Sequence, residues 1–207
     1  MRELVDSLSG RDYSGSISST LLSDVQHNRH GGWQRLDRLF RPVVYNWCRR
    51  SGFQSADAQD ITQKVFTSVH AGVPDFQREK PEDTFRGWIW RITRSKMCDF
   101  CREAPRRARP AGDLIDEVPA SISEELDEPQ PRETDQLIVR RALQIMQKDF
   151  DTTTWQAFWR VAVDGCCAAD VAEELGVSPE AVRSKKYRVL KRLREELAGI
   201  LGVTNVS

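Results

Sequence analysis

The chain has 207 residues, 39% hydrophobic and 30% charged, enough for one or two small cores with long exposed helix faces. Lys and Arg number 31 and Asp and Glu also 31, a zero balance that at first argues against a nucleic-acid partner. No run of about 18 apolar residues occurs, and Met1 to Ser19 carries Arg2, Glu3, Asp6, Arg11 and Asp12 with no signal-peptide-like stretch, so the expected location is the cytoplasm, without membrane insertion.

In chain order, residues 1–18 are polar and Gly/Ser-rich and read as a flexible tail. Helical pattern begins near Thr20. Ser19 or Thr20 can cap a helix carrying Leu21, Leu22 and Val25, and after the His30-Gly31-Gly32 break a stripe of Trp33, Leu36, Leu39, Phe40, Val43, Val44 and Trp47 predicts a second helix. Ser55 is the expected cap of a third, with Ala58, Ile61, Val65, Phe66 and Val69 on its apolar face and Asp57, Asp60, Gln63 and Lys64 on the other. A loop with Gly72, Pro74 and Pro81 leads to a long helix from about Thr84 to Arg102.

Glu103 to Thr134 holds Pro105, Pro110, Pro119, Pro129 and Pro131 with little apolar periodicity, and is expected to be a flexible linker. A second domain is expected from Asp135. Leu137, Ile138, Ala142, Ile145 and Met146 mark one amphipathic helix, and Trp155, Phe158, Trp159 and Ala162 mark another. Two more run at about Ala168 to Leu175 and Pro179 to Leu197. The expected fold is all-α: two small helical domains, residues 19–103 and 135–200, joined by an acidic, Pro-rich linker over 104–134.

The last two helices carry the most specific motif. Val171, Ala172 and Leu175 form an inner face, Gly176 can enter a left-handed turn, Ser178 can cap the next helix and Pro179 suits its first position. These features make a helix-turn-helix. Val182, Val189, Leu190, Leu193 and Leu197 hold the second helix down, leaving Glu180, Arg183, Ser184, Lys186 and Tyr187 around its N-terminal half, with Lys185 and Arg188 adding charge. Such a helix suits the major groove, with further cations meeting phosphates.

Charge is unevenly spread. Thr84 to Pro110 has eight basic residues against Asp99 and Glu103 alone, Asp113 to Asp135 has nine acids against Arg132, and the last helix carries seven Lys and Arg. Two basic modules flank an acidic stretch, an electrostatic footprint that the total conceals.

In the long basic helix, Phe85, Trp88 and Trp90 alternate with Arg86, Arg91, Arg94 and Lys96. Single-stranded nucleic acid is held by that chemistry, aromatic faces replacing base stacking and cations holding phosphates. The same aromatics could equally be core, and composition leaves both readings open.

Other chemistries find little support. Cys48, Cys98, Cys101, Cys166 and Cys167 form no disulfide framework, and Cys98 and Cys101, one turn apart, lack the further ligand pair that a zinc site needs. No phosphate-binding glycine loop or Ser/His/Asp set is present, and His27, His30 and His70 read as surface or boundary residues. No catalytic residue, metal or cofactor is expected.

The runs Asp57 to Phe66 (DAQDITQKVF) and Phe85 to Phe100 (FRGWIWRITRSKMCDF), followed by the helix-turn-helix, resemble extracytoplasmic-function sigma factors from about Thr20 to Leu197. The resemblance implies a cytoplasmic transcription initiation factor whose partners are RNA polymerase core enzyme and promoter DNA, duplex and melted, with an anti-sigma factor as a further candidate. Asp57, Asp60, Gln63 and Lys64 would meet the polymerase. The loop Gln77 to Thr84 and Phe85, Arg86, Trp88, Trp90, Arg91, Arg94, Ser95 and Lys96 would melt the upstream-of-start element and capture a flipped base. Ser178, Glu180, Arg183, Ser184, Lys185, Lys186 and Arg188 would meet the more distant element. Ser95 stands where the family often has Asn, and Lys64 where an acid is usual. The rival reading is a stand-alone helix-turn-helix regulator.

Overall fold

A computed structural model describes residues 21–29, 31–77, 83–107 and 131–201. These form eight helices: α1 (Leu21–Gln26), α2 (Gly32–Arg50), α3 (Ser55–Gly72), α4 (Phe85–Arg107), α5 (Pro131–Met146), α6 (Thr152–Ala162), α7 (Ala168–Leu175) and α8 (Pro179–Leu197). Single 3₁₀ turns follow α3 at Val73–Asp75 and α5 at Gln147–Asp149. Among the described residues there is no strand, as expected of an all-α chain. The expected tail, residues 78–82 of the loop before α4, and 108–130 of the expected linker lie outside the described residues.

Local chemistry sets the boundaries. Gly31, at φ 70°, supplies the left-handed residue before α2. Ser55 is the first residue of α3, not its cap: Gln54 holds that position without a side-chain bond, and Ser55 Oγ pairs with Tyr45 Oη at 3.1 Å. Thr84 Oγ1 accepts from Gly87 N at 2.9 Å, satisfying one of the free amides that open α4. Both α4 and α5 extend beyond their expected limits, to Arg107 and from Pro131, and helix geometry tolerates Pro131 in the first turn of α5. Asp151, unremarked in the sequence, caps α6 through Thr154 N at 2.8 Å.

Pro42 sits inside α2 and has no amide to offer the carbonyl of Arg38 four residues back. Arg141 Nη2 of α5 donates to that oxygen at 3.2 Å. A defect in one helix is thus satisfied by a side chain from another.

Helices α1 to α4 close around Leu36, Phe40, Val44, Trp47, Ile61, Val65, Phe85, Ile89 and Met97. The same cluster continues through Ile138, Val139, Leu143, Phe158, Val189 and Leu193, and α5 and α8 pack directly on the first bundle. Burial pushes the Cys48 thiol in this core up to about 12. A second, smaller cluster of Ala157, Val171, Ala172 and Val182 holds α6, α7 and α8 together.

Candidate nucleic-acid interface

The aromatic and basic residues of α4 divide by face. Phe85 is fully buried, edge-on to Phe40 at 5.7 Å, and Trp90 is buried edge-on to Trp47 at 5.2 Å. Neither can stack on a base here; both aromatics are core. Arg86 is also inside, paired with Asp135 of α5, the two side chains only 7% and 2% exposed. Burial pushes the Asp135 carboxyl up, while Arg86 opposes that shift.

Trp88, Arg91, Ser95 and Lys96 instead line a cleft of about 760 Å³, with Ser68 of α3, Asp75 to Gln77 and Asp83 completing it. Trp88 is half-buried, its ring 5.2 Å from Phe76 and 5.3 Å from Phe85. Gly72 allows the indole to lie there, since a Cβ at that position would sit 3.1 Å from the Trp88 ring. Phe76 is fixed in turn by Gln26 Nε2, which donates to its carbonyl at 2.8 Å. Arg91 and Ser95 are exposed at the rim, Arg94 is half-buried, and Lys96 lies 3.9 Å from Asp99. One indole wall with a cationic rim can hold an unstacked base and its phosphate.

On α3, Asp60 and Gln63 are exposed, while Asp57 and Lys64 are half-buried. Lys64 pairs with Glu103 of α4 at 3.4 Å and lies 6.0 Å from the Phe100 ring. Gln63 Oε1 accepts from Arg41 Nη1 at 3.3 Å, and Arg41 grips Asp37 through Nε at 2.9 and 3.0 Å. That carboxylate holds the Arg41 guanidinium above its usual value. Beside them opens a second cleft of about 680 Å³ between α2 and α3, where Trp33 stacks on His70 at 4.4 Å. Asp37 and Arg41 were missed in the sequence, although an i, i+4 Asp and Arg pair is legible there. Phe76 was missed because only the fold brings it beside Trp88.

Helices α7 and α8, joined through Gly176, fall on the residues expected to form a helix-turn-helix. Gly176 takes φ 64° with nothing within 4 Å of a built Cβ, so conformation rather than space demands glycine. Ser178 Oγ accepts from Ala181 N at 3.2 Å and Pro179 opens α8. Glu180, Arg183, Ser184, Tyr187, Arg188 and Lys191 form one exposed stripe, with Tyr187 58% exposed. Lys185 turns away from it, donating to Thr154 Oγ1 of α6 at 3.2 Å, and Lys186 is half-buried. Arg160 of α6 braces α7 through Glu174 at 2.8 Å.

No helix of the described residues is long and apolar enough to cross a membrane, and no group of three or more His, Cys, Asp or Glu among them could hold a metal ion.

Residues 36–107 match the family model for sigma-70 region 2, which spans the α3 surface and the α4 cleft. The chain is 28% identical over 172 residues to the ECF RNA polymerase sigma factor SigE of Mycolicibacterium smegmatis, covering 80% of this chain but 62% of that protein's length. It is 27% identical over 158 residues to the RNA polymerase sigma factor CnrH of Cupriavidus metallidurans, covering 74% of this chain and 78% of that one. The solved structure of CnrH in complex with the cytosolic domain of CnrY matches with a TM-score of 0.34 and 20% identity, covering 84% and 92% of the two chains.

Proposed function

We propose that this chain, which belongs to the extracytoplasmic-function family of RNA polymerase sigma factors, brings polymerase core enzyme to promoters and opens them by capturing melted DNA in the α4 cleft. The observation that carries this reading is the cleft itself. It places an aromatic wall, Trp88, beside a cationic rim, Arg91 and Lys96, within the region 2 match. Unstacking a duplex step costs a few kcal/mol, and stacking an extruded base on an aromatic ring returns about 1–3 kcal/mol. The step is a transfer of stacking from DNA to protein and needs no covalent chemistry.

Asp60 and Gln63, on the exposed face of α3, are the contacts proposed for polymerase, and Asp37 and Arg41 extend that surface across the second cleft. The exposed stripe of α8 is proposed to read the distant promoter element as duplex, Arg183 and Ser184 at base edges and Arg188 and Lys191 at phosphates. Lys185, held by Thr154, supports this surface from behind. Units 19–103 and 135–200 thus take the two halves of one promoter, and an anti-sigma factor would act by covering either surface.

Reconstituted transcription tests the reading. Full-length chain plus core enzyme should yield discrete transcripts from a linear promoter. Asp60→Arg should abolish core binding, whereas Trp88→Ala should bind core yet fail on duplex and recover on a template with a pre-melted bubble. Absence of any core association would overturn the assignment, and tight sequence-specific duplex binding without core would favour a stand-alone regulator.

A further inference from the structure

The pair Cys98 and Cys101 on α4 is used neither by the cleft nor by the surface proposed for polymerase. Both thiols are free and partly exposed, and they lie one helical turn apart on the same side of the helix. The other cysteines are placed differently. Cys48 is enclosed in the core, and Cys167 is taken up in capping α7, where its Sγ accepts from Asp170 N at 3.4 Å.

Helix geometry sets Cα atoms three residues apart at about 5 Å, inside the roughly 4.4–6.8 Å that a disulfide spans. The Cβ atoms of such a pair are about 5–6 Å apart, whereas a disulfide needs about 3.5–4.5 Å. The turn must therefore close by about 1–2 Å to join the sulfurs. α4 is weakened at this point. Pro105 stands four residues beyond Cys101 in the same helix and has no amide for the Cys101 carbonyl, so the turn lacks one of its regular bonds. Burial, and then the charge of a Cys98 thiolate, hold the Cys101 thiol above its usual value, which leaves Cys98 as the attacking sulfur.

We infer that Cys98 and Cys101 form a redox modification site, closed to a disulfide by hydrogen peroxide, and that closure disturbs the contacts by which the end of α4 supports α3. Cys98 attacks one peroxide oxygen as the O–O bond breaks, giving a sulfenic acid and water. Cys101 then attacks that sulfur, the S–O bond breaks and a second water leaves. Two thiols are oxidised by two electrons, one peroxide is reduced, and both thiol protons end in water.

The consequence follows from what this turn carries. Phe100, between the two cysteines, is buried edge-on to Phe53 at 5.7 Å, and Lys64 Nζ lies 6.0 Å from its ring. Glu103, two residues after Cys101, pairs with Lys64 at 3.4 Å. Lys64 shares α3 with Asp60 and Gln63, so a shift of α4 here reaches the polymerase-facing surface. That half rests on the function proposed above; formation of the disulfide does not. A disulfide strained in this way is readily reduced, as a reversible switch requires.

The test treats the full-length chain with hydrogen peroxide, alkylates the remaining thiols and digests with trypsin. Cleavage after Lys96 and Arg102 releases residues 97–102, which hold both cysteines and no other. This peptide should be internally linked and unalkylated, and alkylated at both sulfurs when reductant is added first. Full alkylation after peroxide would overturn the site. Binding to core enzyme is then compared for the reduced and oxidised chain. Oxidation should weaken it roughly tenfold, and dithiothreitol should restore it. The double variant Cys98→Ser, Cys101→Ser should bind core as the reduced wild type does and ignore peroxide, with its helix content checked by circular dichroism, and Cys101→Ser alone should also lose the response. A linked peptide with unchanged core affinity would overturn the coupling, as would an equal loss of binding in the peroxide-treated double variant. Reduced wild type that does not bind core at all would overturn the polymerase reading, while the peptide still decides the thiol pair.

Discussion

The helices proposed to face DNA, α4 and α8, are both rich in cations, yet they are built on opposite plans. α8 is supported on one side by α6 and α7 and leaves an unbroken stripe from Glu180 to Lys191 in solvent. α4 is enclosed by α2, α3 and the start of α5, so Phe85, Arg86 and Trp90 turn inward and only the face of Trp88, Arg91 and Ser95 opens on a cleft. A surface reader of intact duplex needs a convex row of side chains. A trap for a single base needs a concavity, and a concavity requires walls.

The comparison breaks most readily at paired aromatics on α4. Phe85→Ala should cost about 3–5 kcal/mol by leaving a hole in the main core, seen as a large drop in melting temperature. Trp88→Ala should shift melting less, because that ring is only partly buried at the wall of the cleft, while abolishing transcription from duplex templates. Equal destabilisation by the two would erase the division of faces. On α8 the expectation inverts. Arg183→Ala should leave the melting temperature unchanged, weaken duplex binding by about 1–3 kcal/mol and relax the sequence preference at the position it reads, as a competition titration with altered sites would show.

The smallest effect sharpens the support beneath α8. The Asp151 carboxyl is held below its usual 3.8, chiefly by accepting from the Thr154 backbone amide and then from the Thr154 hydroxyl. A carboxylate favoured in the folded state contributes its stability in full above the unfolded value, and that contribution is lost as pH falls through the lowered folded value. Thermal melts of the wild type and Asp151→Asn should therefore differ near neutral pH and converge once the medium is acid enough to protonate the native carboxyl. A difference that persisted there would show that the cap acts through shape rather than charge.

Much of this was legible in order along the chain. The helix-turn-helix follows from contiguous residues, since Gly176, Ser178 and Pro179 act through their own backbone angles and neighbouring amides. The apolar stripes of α2 and α3 likewise announce their buried faces. What was not legible is which members of a mixed aromatic and basic run lie inside. Phe85, Trp88 and Trp90 share one helix at close spacing, and helical periodicity fixes their relative directions without saying which direction meets α2 and which meets Phe76. The hydrogen bond of Lys185 to Thr154 on α6 is hidden from the sequence for the same reason, since the two lie in different helices.

Sequence alone determined the all-α class, the basic modules on either side of an acidic stretch, the turn before α8 and the family resemblance, because each rests on local backbone preference, periodicity or charge count. Only tertiary structure decided that α5 docks on the first bundle through Glu133, Thr134 and Asp135, that Arg141 answers the carbonyl exposed by Pro42, and that Arg86 is enclosed. Those contacts join residues dozens of positions apart. Their partners are chosen by how whole faces fit together, a quantity that no local stretch of chain contains.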